Sequence, residues 1–128
     1  HAYMVTAPAR PSQLGALALL RESSTVLPAA RAELSLRWDV FGEAFTAHFG
    51  YPPEGPAGGF YHWLALPLSA HADPMAFCLR LRDEAGVVVV PGFAFGTASQ
   101  GYLRLSFGGS VADIREGLRR LAPYWRSA

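Results

Sequence analysis

Gly86-Val-Val-Val-Val-Pro-Gly-Phe-Ala-Phe-Gly96, followed shortly by Gly101-Tyr-Leu-Arg-Leu-Ser-Phe-Gly-Gly-Ser110, is the stretch on which the fold turns. Two short β-type runs flank a glycine-rich turn. Val87 to Val90 is a continuous β-branched run, which predicts a strand buried on both sides and stopped by Pro91-Gly92. In the second run side chains alternate between faces. Leu103, Leu105 and Phe107 therefore share one face, and Tyr102, Arg104 and Ser106 share the other. An arginine on the polar side of an apolar strand suits the two-pronged grip of a carboxylate. The same spacing also fits a solvated strand arginine, since charged side chains are mostly exposed.

Working outward, Ser110 and Asp113 stand three apart and form an approximate capping box. The helix they open sets Val111, Ile114, Leu118, Leu121, Ala122 and Trp125 along a core-facing stripe. Upstream, Asp73-Pro74 has the chemistry of an N-cap followed by the first helical position. The helix behind it aligns Phe77, Cys78, Leu81 and Ala85, and Gly86 ends it. Phe60 to Leu66 reads as a strand closed by Pro67, preceded by the breaker-rich loop Tyr51-Pro-Pro-Glu-Gly-Pro-Ala-Gly-Gly59. Before that loop a long helix follows Pro28. Its apolar residues Leu34, Trp38, Phe41, Phe45 and Phe49 recur at helical spacing, and Gly50 is its stop. A first helical segment opens with Ser12 as N-cap and carries Leu14, Leu17 and Ala18 on one face; Ser23-Ser24-Thr25 interrupts it. The expected fold class is α/β of the two-layer, α+β-like kind. A small mixed sheet of about three to four strands carries packed helices and is preceded by a long N-terminal helix.

Composition narrows the function. The chain has 128 residues, 51% hydrophobic and 16% charged, and a formal net charge of +1. That describes one foldable unit and argues against disorder or a dedicated nucleic-acid binder. No apolar run is long enough for a membrane span. All 11 Lys+Arg residues are arginine, so no Schiff base to a carbonyl cofactor can form on a lysine of this chain. The single cysteine, Cys78, points to a reducing, cytoplasmic setting and to a small core residue. His1, His48, His62 and His71 lack metal-ligand spacing, so no metal is expected. His62, within a strand beside Trp63, reads as structural. The chain begins at His1 rather than methionine, which suggests a processed or excised piece of something longer. The residues alone complete no catalytic constellation.

Four motifs in order carry a resemblance: Gly58-Gly-Phe-Tyr-His-Trp-Leu-Ala-Leu-Pro67, Phe77 to Val90, Pro91-Gly-Phe-Ala-Phe-Gly96 and Gly101-Tyr-Leu-Arg-Leu-Ser-Phe107. Together they are similar to the C-terminal small domain of class I/II aminotransferases, fold type I enzymes dependent on pyridoxal 5′-phosphate. Pro11-Ser-Gln through Ala18-Leu-Leu, and the helix holding Arg37-Trp-Asp, resemble the end of the large domain and the helix joining the domains. The resemblance implies residues 1–27 as a large-domain remnant, 28–50 as the interdomain helix and 51–128 as the small domain. It implies that Arg104 binds the α-carboxylate of an amino- or 2-oxo-acid substrate; Phe93 and Phe95 are read first as turn and packing residues, and otherwise as lying near the substrate entrance. The family's cofactor-binding lysine has no counterpart here, nor have its other cofactor-holding residues. Pyridoxal phosphate is thus expected in a parent enzyme, itself a homodimer, and not on this fragment, which would be inactive alone. A lyase, decarboxylase or acyl transferase of the same fold type is an alternative. So is a free-standing, non-catalytic module that binds a carboxylate or a protein.

Overall fold

The computed structural model describes residues 7–56 and 58–126. His1, and Ala57 of the breaker-rich loop, lie outside them. The chain divides into two compact units, His1–Glu33 and Leu34–Ala128.

In the first unit, helix α1 spans Arg10–Arg21. Its N-cap is Ala9 rather than the expected Ser12, and Pro11 lies in the first turn. Proline's fixed φ is already helical and its missing N–H is not needed there, so the helix starts ahead of the serine. Helix α2, Ser23–Phe49, follows after Glu22. Ser23-Ser24-Thr25, expected as an interruption, is its first turn, and Pro28 lies inside it. The proline removes one backbone donor near the helix start. The carbonyl left over belongs to exposed Ser24, where water can serve it.

The second unit is a two-layer α/β arrangement. Strand β1 is Tyr61–Ala65, β2 is Val90–Pro91 and β3 is Tyr102–Ser106. They form one sheet in the order β1-β3-β2. The α/β class holds, but both pairings are antiparallel, so the sheet is not mixed in strand direction. Leu66 N–H donates to Gly101 O at 2.9 Å and Phe107 N–H to Phe60 O at 3.0 Å, extending the β1–β3 ladder at both ends.

The Val87–Val90 run departs most from expectation. Only Val90 and Pro91 pair with β3, and Val88 is 78% exposed. Val89 is buried and Val87 half-buried, packed against the core. This is the alternation of an edge segment with one dry face, because no further strand among the described residues pairs with its other side.

Helix α3 runs Pro74–Arg80 and continues as a wider turn over Leu81–Ala85. Asp73 caps it, its carboxylate accepting from the Ala76 N–H at 2.9 Å. Gly86 ends it at φ 66°, a left-handed conformation that glycine adopts without steric cost. Helix α4, Val111–Leu121, is capped by Ser110, whose hydroxyl accepts from the Asp113 N–H at 3.1 Å. A short helix α5, Pro123–Arg126, closes the described chain.

Phe41 and Phe45 of α2, Leu64 of β1, Phe77 and Leu81 of α3, Leu103, Leu105 and Phe107, and Ile114, Leu118 and Leu121 of α4 form one core. It lies against a single face of the sheet. Of the predicted α4 stripe, Val111 is exposed and Trp125 half-buried in α5. The Trp125 indole N–H donates to Ala65 O at 3.0 Å, tying α5 to β1.

Candidate substrate-carboxylate site

Strand alternation divides β3 as expected, with Leu103 and Leu105 buried and Tyr102 and Ser106 exposed. Arg104 stands with the second pair, half-buried on the face that the helices leave open. Register sets its neighbours. Trp63 of β1 and Val90 of β2 pair directly with Arg104, and Tyr61 is diagonal to it, opposite Ser106. Diagonal neighbours remain within reach of long and aromatic side chains.

The guanidinium uses that reach. Its carbon lies 4.1 Å from the centre of the Tyr61 ring and 4.3 Å from that of Phe95. Phe95 meets Trp63 edge to face at 5.4 Å, and Tyr61 packs against Phe60 at 4.4 Å. The result is a row across the open face: Trp63, Phe95, Arg104, Tyr61, Phe60. Among the described residues, the Arg104 side chain makes no ion pair and no hydrogen bond. Its backbone is strand-fixed and its guanidinium carbon lies over two rings, while the N–H fork keeps its donors for an outside acceptor. A planar cation so presented matches a carboxylate two bonds at a time.

Phe95 reaches Arg104 because of the turn that carries it. Gly92–Phe95 and Thr97–Ser99 are two short 3-10 turns joined at Gly96, whose φ is 113°. At Gly92 the backbone comes so close to its neighbours that a Cβ would stand 1.8 Å from Ser99 O and 2.7 Å from Tyr102 O. Only glycine fits there. Phe93 is 41% and Phe95 44% exposed, so both rings of the turn face outward. Phe95 joins the row beside Arg104, whereas Phe93 makes no ring contact among the described residues.

Tyr61 and Trp63 are participants that the sequence reading left inside a generic strand. The signal lay in the alternation of Tyr61, Trp63 and Ala65 on one face, but linking them to Arg104 needed the antiparallel register. His62, between them, points the other way and is 7% exposed. It sits among Trp38, Phe41 and Phe45, with ring centres at 6.1, 5.3 and 5.4 Å. Burial pushes its imidazole pKa below the ordinary value, while a hydrogen bond to the Glu54 backbone and the Glu54 charge pull the other way. Cys78 is buried, and burial pushes its thiol pKa up, away from the reactive thiolate.

Comparison with known proteins agrees with this architecture. LL-diaminopimelate aminotransferase of Dehalococcoides mccartyi is 34% identical over 116 residues, 91% of this chain and 29% of that protein. A probable N-acetyl-LL-diaminopimelate aminotransferase of Bacillus subtilis is 32% identical over 121 residues, 94% of this chain and 30% of that protein. The chain thus spans about three-tenths of the length of these relatives. Among solved structures, an aromatic aminotransferase from Pyrococcus horikoshii superposes with a TM-score of 0.76 at 26% identity, covering 98% of this chain and 34% of that one. An aminotransferase from Mycobacterium tuberculosis does so at 0.74 and 27% identity, covering 99% and 33%. With the aminotransferase class I and II family profile matching residues 2–121, the chain belongs to that family.

Proposed function

We propose that this chain is the C-terminal small domain of a pyridoxal 5′-phosphate-dependent aminotransferase and that Arg104 binds the α-carboxylate of its substrate. In this reading residues 1–27 end the large domain, 28–50 form the interdomain helix and 51–128 the small domain. The observation that carries it is Arg104 itself, strand-held over two aromatic rings on the open sheet face with its N–H fork unengaged among the described residues. The span of the matches, about three-tenths of each relative, accords with a part that works beside a larger one.

The chain's own side chains cannot bind the cofactor covalently through an amine. It has no lysine, so no side-chain amine is available for the cofactor's aldehyde. The partners proposed are therefore a large domain that holds pyridoxal phosphate, an amino-acid or 2-oxo-acid substrate, and a second subunit of a cytoplasmic homodimer. The cofactor, when bound there, supplies the electron sink for breaking bonds at the substrate's α-carbon. Arg104 contributes position: two N–H donors fix the carboxylate plane and so restrict rotation of the α-carbon's bonds. Phe93 and Phe95 border the approach to that position.

The test is Arg104→Ala in the enzyme that includes the large domain. A charge-assisted, bidentate contact contributes roughly 1.5–3 kcal/mol. The expected loss of kcat/KM for α-amino acids is therefore about ten- to a hundred-fold. The 128-residue chain alone, in the same assay, is expected to give no turnover. An unchanged kcat/KM in the variant removes the carboxylate role, and turnover by the chain alone removes the need for a partner domain.

A further inference from the structure

We propose that Tyr61 and Phe95 form an aromatic clamp that holds the Arg104 guanidinium in its binding orientation, making both rings positioning residues for the carboxylate. The inference rests on the carboxylate role of Arg104 and adds to it the device that aims the fork.

An arginine side chain has four rotatable bonds, and freezing them on substrate binding costs entropy. A site that holds the guanidinium beforehand avoids much of that loss. Charged hydrogen-bond partners could do this, but each would occupy a donor that the carboxylate needs. Aromatic faces stabilise the cation through their quadrupoles and leave the N–H edge free. Arg104 has this environment: rings at 4.1 and 4.3 Å from the guanidinium carbon, and no polar partner among the described residues.

The clamp is itself supported. Trp63 meets Phe95 edge to face at 5.4 Å, and Phe60 packs on Tyr61 at 4.4 Å. The two jaws also come from different parts of the chain. Tyr61 is fixed by the β1–β3 register, and Phe95 by the turn that Gly92 allows to approach β3. All five members of the row are only partly buried, so hydrophobic-core packing does not account for the arrangement. Tyr61 and Phe95 each lie under the same cation, which is the element they share.

The experiment has two arms. In the enzyme that includes the large domain, Tyr61→Leu and Phe95→Leu are each expected to raise KM for an α-amino acid roughly two- to five-fold, since a partly exposed cation–π contact has about that effect. kcat at saturation should change less than KM. Tyr61→Phe, which keeps the ring, should restore the wild-type KM. If Arg104→Ala lowers kcat/KM while both leucine variants keep the wild-type KM, the clamp is refuted and the carboxylate role stands. If Arg104→Ala has no effect either, the carboxylate role itself fails. The second arm uses NMR on the 128-residue chain and does not depend on activity. The Arg104 side-chain protons should be displaced upfield by the two ring currents, and each leucine variant should remove part of that displacement. Arg104 resonances at unperturbed positions in the wild-type chain would overturn the clamp.

Discussion

The two faces of the β1–β3 pair are built from alternate residues of the same strands and have opposite characters. Toward the helices stand His62, Leu64, Leu103 and Leu105, all buried. Toward the open side stand Tyr61, Trp63, Tyr102 and Arg104, none of them fully buried. On the dry face the one titratable group has its charged form disfavoured by desolvation. On the wet face the one cation lies over the rings of Tyr61 and Phe95. Burial thus disfavours charge on one side, while on the other the cation lies against two aromatic rings. Alternate residues of one strand pair thus build a buried face and an exposed one.

That separation can be broken most severely from the dry side. Leu103 is fully buried, and Leu103→Ala should destabilise the chain by about 2–5 kcal/mol, as large-to-small core changes do. Urea unfolding followed by circular dichroism measures it, and a loss below about 1 kcal/mol would mean that the face is less tightly packed than its burial indicates.

A smaller effect sharpens the contrast through pH. The His62 pKa is lowered in the folded chain from an ordinary value of 6.5. Below that value the unfolded chain takes up a proton at this position that the folded chain resists, so stability falls as pH drops through 6.5 towards the folded pKa. Above 6.5 both states carry a neutral imidazole and His62 adds no slope. Unfolding free energies compared between the native chain and His62→Leu from pH 5 to 8, a range chosen to bracket histidine titration, should diverge only at the acid end. Parallel curves would show that desolvation at His62 is not felt.

The smallest effect belongs to the wet face. Tyr102 is 43% exposed, and Tyr102→Thr keeps a strand-favouring residue, so stability should change by no more than about 0.5 kcal/mol. A loss comparable to that of Leu103→Ala would mean that the open face carries structural weight of its own.

Features of short range were legible before any coordinates. Asp73-Pro74, Gly86 and Ser110 with Asp113 mark their helix ends because a cap is made by a few consecutive residues. The alternation that separates Arg104 from Leu103 and Leu105 is local too. Pro28 misled because a proline early in a helix and a proline just before one look alike in sequence. Val87–Val90 misled for a different reason: four consecutive valines report β preference, not the number of covered faces. The aromatic row was not legible at all. Tyr61 lies more than forty residues from Arg104 in the chain, and their meeting depends on a register that no single strand encodes. Arg104 could be chosen from its strand; what holds it could not.

Gly92 carries a consequence for how this turn can change over time. With the space beside its α-carbon already filled by carbonyl oxygens of Ser99 and Tyr102, every missense change in its codon places atoms where backbone already stands. Neighbouring Phe93 and Ala94 can drift, because their side chains meet no such wall. Variation in the turn is thereby channelled outward, into its exposed residues, while its path past β3 stays frozen. A lineage can retune what this loop presents at the surface without ever relocating the loop.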